Sequence, residues 1–217
     1  EKPPKRGLSG WLCIGMAILA SSAVDAAGFG FVVPPEPKSF WTASLSFATI
    51  IIFLSEAVRR FAPSIGSTNN SRRLWAMGIM AVGFCIEMLL RIFLGAPYLM
   101  DSLLLTLLRN VMIGLATVSH HPLNQGPSVA LSTFVFVFAS ACFDSSLTTL
   151  PWCNALSIAF AGTSVIWLGA RYWERLNITF TSKVVQRKRP WWTPALAIPL
   201  VLPLLLPAAR GRLIATE

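Results

Sequence analysis

Charge is scarce in this sequence. Only 12% of the 217 residues are Asp, Glu, Lys or Arg, about half the share that a soluble globular domain carries. So few charged groups cannot cover the surface of a water-soluble chain of this size. Acidic residues number nine, and no Asp-x-x-Asp pair is present to hold a divalent metal against a pyrophosphate. His-Glu-x-x-His, a Gly-x-Ser-x-Gly nucleophile turn and a Gly-rich phosphate loop are also absent. No Cys/His arrangement pairs a nucleophile with its base. The four cysteines contain no Cys-x-x-Cys, so neither a redox pair nor a zinc site of common spacing is indicated. The motifs therefore assign no catalytic residue, metal or cofactor. An active site built from single residues on separate helices would leave no such signature, so the question of an enzyme stays open.

Apolar residues are what the chain has instead. They make up 54% of it, and the mean hydropathy is +0.63. Lipid is the solvent that suits this balance, and apolar runs of about 18 residues or more are its mark. Seven segments can be drawn, at 8–29, 40–58, 74–94, 99–118, 129–143, 152–172 and 191–209. Between them lie turn-like stretches: VVPPEPKS, APSIGSTNNSRR, GAP, HHPLNQGPS, DSSLTTLP and VQRKRP. The prediction is an all-α, polytopic integral membrane bundle of about seven transmembrane helices forming one domain over 1–217. The third and fourth segments, joined by GAP alone, should make a tight antiparallel pair. The fifth is short for a span. The last carries Pro194, Pro199, Pro203 and Pro207 about one turn apart, and each removes a backbone hydrogen bond, so an irregular helix is expected there.

Basic residues set the orientation. With the N-terminus in the cytoplasm, thirteen of the eighteen Lys and Arg fall on the cytoplasmic side. Only Lys38, Arg210 and Arg212 fall on the other, and Arg91 and Arg109 lie within segments. The C-terminus is then extracytoplasmic. The net charge of +9 follows from this topology. No nucleic-acid partner is expected, because no basic face interleaved with exposed aromatics occurs on a soluble fold. The run QRKRP also suits anionic lipid headgroups. Both sequons, at Asn69 and Asn177, lie in cytoplasmic loops, so neither is expected to be glycosylated. Cys142 and Cys153 flank an outer loop in the compartment where disulfides persist. A bridge between them is one reading and two free thiols the other, since spacing does not give distance. The sequence opens on Glu rather than Met and closes on RGRLIATE, which fits a segment of a longer chain with a further domain or subunit.

Four charges interrupt the apolar third and fourth segments: Glu87, Arg91, Asp101 and Arg109. Glu87 and Arg91 share a helix face, and the antiparallel return brings Arg109 to the depth of Glu87. Two cross-pairs follow, Glu87 with Arg109 and Arg91 with Asp101. A lone charge at mid-bilayer costs about 3 kcal/mol on insertion scales, so these groups should face the bundle interior. They either lock two helices in register or line a polar pocket. Asp25, with no basic residue near it in sequence, is a candidate pocket group. His120 falls in line with Arg109, and His121 follows it. Adjacent histidines are expected to point to different faces, which disfavours one shared metal. Glu56 is expected to pair locally with Arg59 and Arg60. Asn154, Ser157, Ala161 and Ser164 form a small-residue stripe that suits close helix packing.

The functional expectation is a membrane module that binds or translocates a small molecule or lipid. Glu87, Arg91, Asp101 and Arg109 are its leading ligand-binding residues, with Asp25 and His120 behind them. The alternatives are the membrane anchor of a larger enzyme, such as a transferase with an extracytoplasmic catalytic domain after residue 217, and a structural subunit of a membrane complex.

Overall fold

The computed structural model describes residues 6–27, 37–94, 100–141 and 151–181. All regular structure in them is α-helical. Six helices follow in chain order: α1 Leu8–Ala26, α2 Pro37–Phe61, α3 Asn69–Leu94, α4 Met100–Thr117, α5 Pro122–Ala141 and α6 Pro151–Thr181. Two of them, α1 and the Leu90-terminated part of α3, are long and apolar enough to cross a membrane. The seventh apolar segment, 191–209, lies outside the described residues.

The helix ends follow local chemistry. Proline opens α2, α5 and α6, where its missing N–H has no intrahelical partner to lose. Thr68 caps α3, its hydroxyl accepting the Ser71 N–H at 3.2 Å. The turn before it needs Gly66, whose φ is +88°. A side chain there would be strained and would run into Asn124 and Val118. The helix α5 begins seven residues ahead of the expected 129–143 segment and runs through Pro127. The sequence reading took HHPLNQGPS for a loop. In the fold the buried side chains of Asn124 and Gln125 anchor this first turn. Asn124 Nδ2 donates to the carbonyls of Gly66 and Val118 at 2.9 and 3.1 Å, and Gln125 Nε2 donates to that of Ser119 at 3.2 Å.

Packing centres on α1, which contacts α2, α4, α5 and α6. Its Ala17, Ala20, Ala23 and Ala26 are buried beside Ser21 and Ser22, and small side chains of this kind let neighbouring helices approach closely. Stacked rings of Phe136 and Phe160, 4.2 Å between centroids, join α5 and α6 to the same core. The helix α6 buries Phe160, Ala161, Ser164, Trp167 and Ala170. Asn154, placed in the packing stripe by the sequence, is exposed instead. The expected α3–α4 pair is present. A Cβ at Gly114 would lie 2.9 Å from the Ala76 Cα, so glycine sets how near these two helices run.

Consecutive helices alternate in direction. Hydrogen bonds join the starts of α1, α3 and α5 to the ends of α2, α4 and α6. Arg6 reaches the Ser55 carbonyl and hydroxyl at 3.1 and 2.6 Å. Ser119 Oγ donates to the Gly10 carbonyl at 3.1 Å, and the Ser9 N–H donates to Glu174 Oε1 at 3.1 Å. Arg171 donates to the Pro122 carbonyl at 2.9 Å, and Arg72 to Asn124 Oδ1 at 3.3 Å. Arg59 and Arg60 pair with Glu56 at the same end, as expected from their spacing.

The core is largely apolar, yet large apolar side chains are also numerous outside it and polar ones within it. Large apolar groups stand on the outside, among them Phe53 at 74% exposure, Ile158 at 69% and Val82 at 60%. Inside are Asp25, Glu87, Thr106, Arg109, Asn110, Ser128, Ser132 and Thr133, all buried.

Candidate functional site

The fold brings three charges from three helices to one point. Arg109 of α4 is fully buried. Its Nη1 donates to Asp25 Oδ1 of α1 at 2.9 Å, and its Nη2 donates to Glu87 Oε1 of α3 at 2.7 Å. The Phe47 ring of α2 lies over the guanidinium, 4.2 Å from its centroid to the central carbon. Asn110, next along α4, donates from Nδ2 to Glu87 Oε1 at 3.3 Å and to the Thr106 carbonyl at 3.0 Å. Room for Asn110 comes from Gly83 of α3, where a Cβ would overlap its side-chain amide.

Each member has a reason to be where it is. At about 1.5 Å rise per residue, Glu87 lies roughly 20 Å along α3 from Arg72, which joins the basic end of the bundle. Arg109 sits at the middle of α4, and Asp25 is one residue short of the end of α1. A guanidinium offers two donor edges in a rigid plane and so bridges two carboxylates where an ammonium would favour one. Such a group is costly to bury alone and stays buried because both partners are in place.

The site is not closed on itself. Two carboxylates face one guanidinium, and Asp25 Oδ2 and Glu87 Oε2 are buried with no hydrogen-bond partner among the described residues. Glu87 and Asn110 also line a cleft of ≈ 650 Å³ between α2 and α3, floored by α4. Its walls are apolar, with Ile50 and Leu54 on one side and Val82, Ile86 and Leu90 on the other. The volume falls within the usual range for small-molecule pockets, about 300–1,000 Å³.

The expected Glu87–Arg109 pair is therefore present. Asp25, which has no basic residue near it in sequence, is the second carboxylate on Arg109. That contact joins residues 84 apart in sequence, which no local pattern reports. Arg91 and Asp101 lie on described helices but their side chains are not described, and Cys142 of the expected Cys142–Cys153 bridge lies outside the described residues. Asn110, Phe47 and Gly83 were not singled out. An amide inside an apolar run was the available signal for Asn110, and neither of the others had one.

His120 stands apart from the charged cluster, in the turn between α4 and α5. Its Nε2 is 3.4 Å from the Pro63 carbonyl, and that of His121 is 2.8 Å from the same oxygen. The rings lie 4.3 Å apart. Adjacent histidines were expected to diverge, as they would on a helix. Residues 118–121 are a turn, and both rings converge on Pro63. Burial, and after it His121, hold the His120 imidazole below its ordinary pKa. No group of three or more His, Cys, Asp or Glu able to hold a metal occurs among the described residues. Cys13 is buried and Cys85 exposed, and both are free thiols.

No protein-family model, curated protein or solved structure matches this chain.

Proposed function

We propose that the chain is a multi-pass membrane module of seven spans, N-terminus cytoplasmic, whose buried charges serve a binding or translocation site for a small molecule or lipid. The observation that carries this reading is the unpartnered, buried carboxylate oxygen of Glu87, a residue that lines an apolar cleft. Ionisable groups inside a membrane mark functional sites more often than not. A pure helix staple calls for matched charges, whereas here two carboxylates face one guanidinium.

The sorting of side chains supports lipid as the solvent. Exposed Leu, Ile and Phe on α2, α3 and α6 form a surface too apolar for a monomer in water. The gathering of Arg6, Arg59, Arg60, Arg72 and Arg171 at one end of the bundle agrees with the positive-inside pattern.

Two measurements test this. Membranes washed in alkaline carbonate are expected to retain the chain, and recovery of the intact protein as a detergent-free monomer would overturn the membrane reading. In native mass spectrometry from detergent, the wild type is expected to carry a non-covalent small-molecule or lipid adduct. Val82→Trp, which fills the cleft from an exposed position, is expected to lose it. An adduct-free wild type, or equal adducts on both, would reduce the charged cluster to a device for helix register.

A further inference from the structure

We infer that the cleft between α2 and α3 takes a lipophilic amine, its protonated head on Glu87 and its apolar body along the cleft walls. The inference rests on the membrane binding-site reading above and names the ligand chemistry for it. Charge comes first. Asp25, Glu87 and Arg109, when ionised, leave one negative charge in a buried place. A carboxylate or phosphate head would add to it. It would also find no cation among the residues that line the cleft, and both terminal nitrogens of the nearby Arg109 already donate to Asp25 and Glu87. An ammonium cancels the charge.

Hydrogen bonding selects the same head. Glu87 is 3% exposed, and its Oε2 is a buried acceptor with no partner among the described residues. The Asn110 amide nitrogen is committed to Glu87 Oε1 and the Thr106 carbonyl. The missing element is a donor, and a charge-assisted one is stronger than a hydroxyl by about twofold. A quaternary ammonium has the charge and no hydrogen to give. A hard divalent cation wants about six oxygen ligands, and besides Glu87 the cleft lining offers only Ser46 and Asn110 as polar side chains. An alkyl or aryl body fits those walls, with Phe47 beside the head.

Dodecylamine, dodecanol and dodecanoate share a chain length and differ in head alone, so they separate these cases. Saturable binding of labelled dodecylamine to the purified full chain in an uncharged detergent is the readout. The amine is expected to displace the label at concentrations at least about tenfold below the alcohol, since one charge-assisted hydrogen bond of ~1.5–3 kcal/mol is at stake, and dodecanoate not at all. Val82→Trp should abolish saturable binding, Glu87→Gln should weaken it about tenfold or more by the same arithmetic, and Arg60→Gln, at the far end, should leave it unchanged. Because Glu87→Gln also removes a partner of Arg109, Val82→Trp provides the test that leaves the charges intact. Arg91→Gln is measured beside them. A large rise in amine affinity there would mean that Arg91 already fills the place given to the amine, and would overturn the proposal. Equal displacement by amine and alcohol, or better displacement by dodecanoate, would overturn it too. If that binding still vanished in Val82→Trp, the cleft would stand as a site for another head. Absence of saturable binding by all three would overturn both the amine and the cleft.

Discussion

Arg109 is the residue on which the described structure turns. It has no water-exposed surface, and its two carboxylates come from helices far apart in sequence. Removing one partner from a buried ion pair leaves an uncompensated charge and costs about 3–5 kcal/mol. Arg109→Met leaves two carboxylates facing each other, so a stability loss of about that size is expected by thermal unfolding in detergent. Arg109→Lys should recover only part of it, because an ammonium lacks the planar fork that serves both sides. Full recovery by lysine would show that charge alone, not the bridge, holds the helices. The Glu87 half of this arrangement was legible in the sequence, since so short a break between two apolar segments implies an antiparallel return that brings Arg109 to the depth of Glu87. The Asp25 half was not, because nothing local aligns α1 with α4. His120 makes the second prediction at this scale. Its folded pKa is lowered by burial, so the unfolded chain takes up the proton first as the pH falls. The stability it contributes is complete above its unfolded value of about 6.5 and is lost as the pH drops below that. The detergent melting temperature should therefore fall between about pH 7 and 5, and His120→Gln should flatten that part of the profile. An identical slope in the variant would remove His120 from the account.

At the scale of elements, the α3–α4 pair depends on absent side chains. The two glycines at the crossing face different obstacles. A Cβ at Gly83 meets the Asn110 amide, a side chain able to swing away at the cost of its bond to Glu87. A Cβ at Gly114 meets the Ala76 backbone, which has no such freedom. Gly114→Ala is therefore expected to destabilise by about 1–3 kcal/mol, the usual cost of overpacking, and Gly83→Ala by less. Gly78→Ala, with nothing within 4 Å of its Cβ, serves as the control and should be neutral or slightly stabilising, since alanine is the better helix former. The order Gly78, Gly83, Gly114 in detergent melting temperatures checks the geometry, and any inversion refutes it. Helix identity was readable from the apolar runs, because their length and spacing report it. Helix limits were less so. The apolar run 129–143 does not report the first two turns of α5, where Asn124 and Gln125 are buried and bonded to backbone carbonyls rather than left in a loop. The stripe assigned to α6 had the right period and the wrong phase at its start, with Asn154 outside and Phe160 inside. Small-residue spacing shows that a packing face exists but not where a neighbouring helix first touches it.

At the scale of the whole molecule, the described residues combine an apolar core that holds buried charges with many exposed large apolar side chains, and basic residues gather at one end. The cytoplasmic assignment of that end rests on the distribution of Lys and Arg. Ser67 lies in the turn between α2 and α3, close to Arg72 and Arg73, and its side chain takes no part in the capping bonds of Thr68 and Ser71. A cysteine at this position, in a chain whose four native cysteines are replaced, should react with a membrane-impermeant maleimide only after the membrane is opened. The same label reaching Ser67→Cys in sealed cells would invert the bundle. It would place the open edge of Glu87, which lies toward the opposite end, near the cytoplasmic face. Because α3 separates Glu87 from the basic end by roughly 20 Å, an amine entering the cleft would then be drawn from the cytoplasmic leaflet rather than the outer one. One labelling experiment therefore tests the orientation proposed for this end of the bundle and, with it, the leaflet from which the proposed amine would enter.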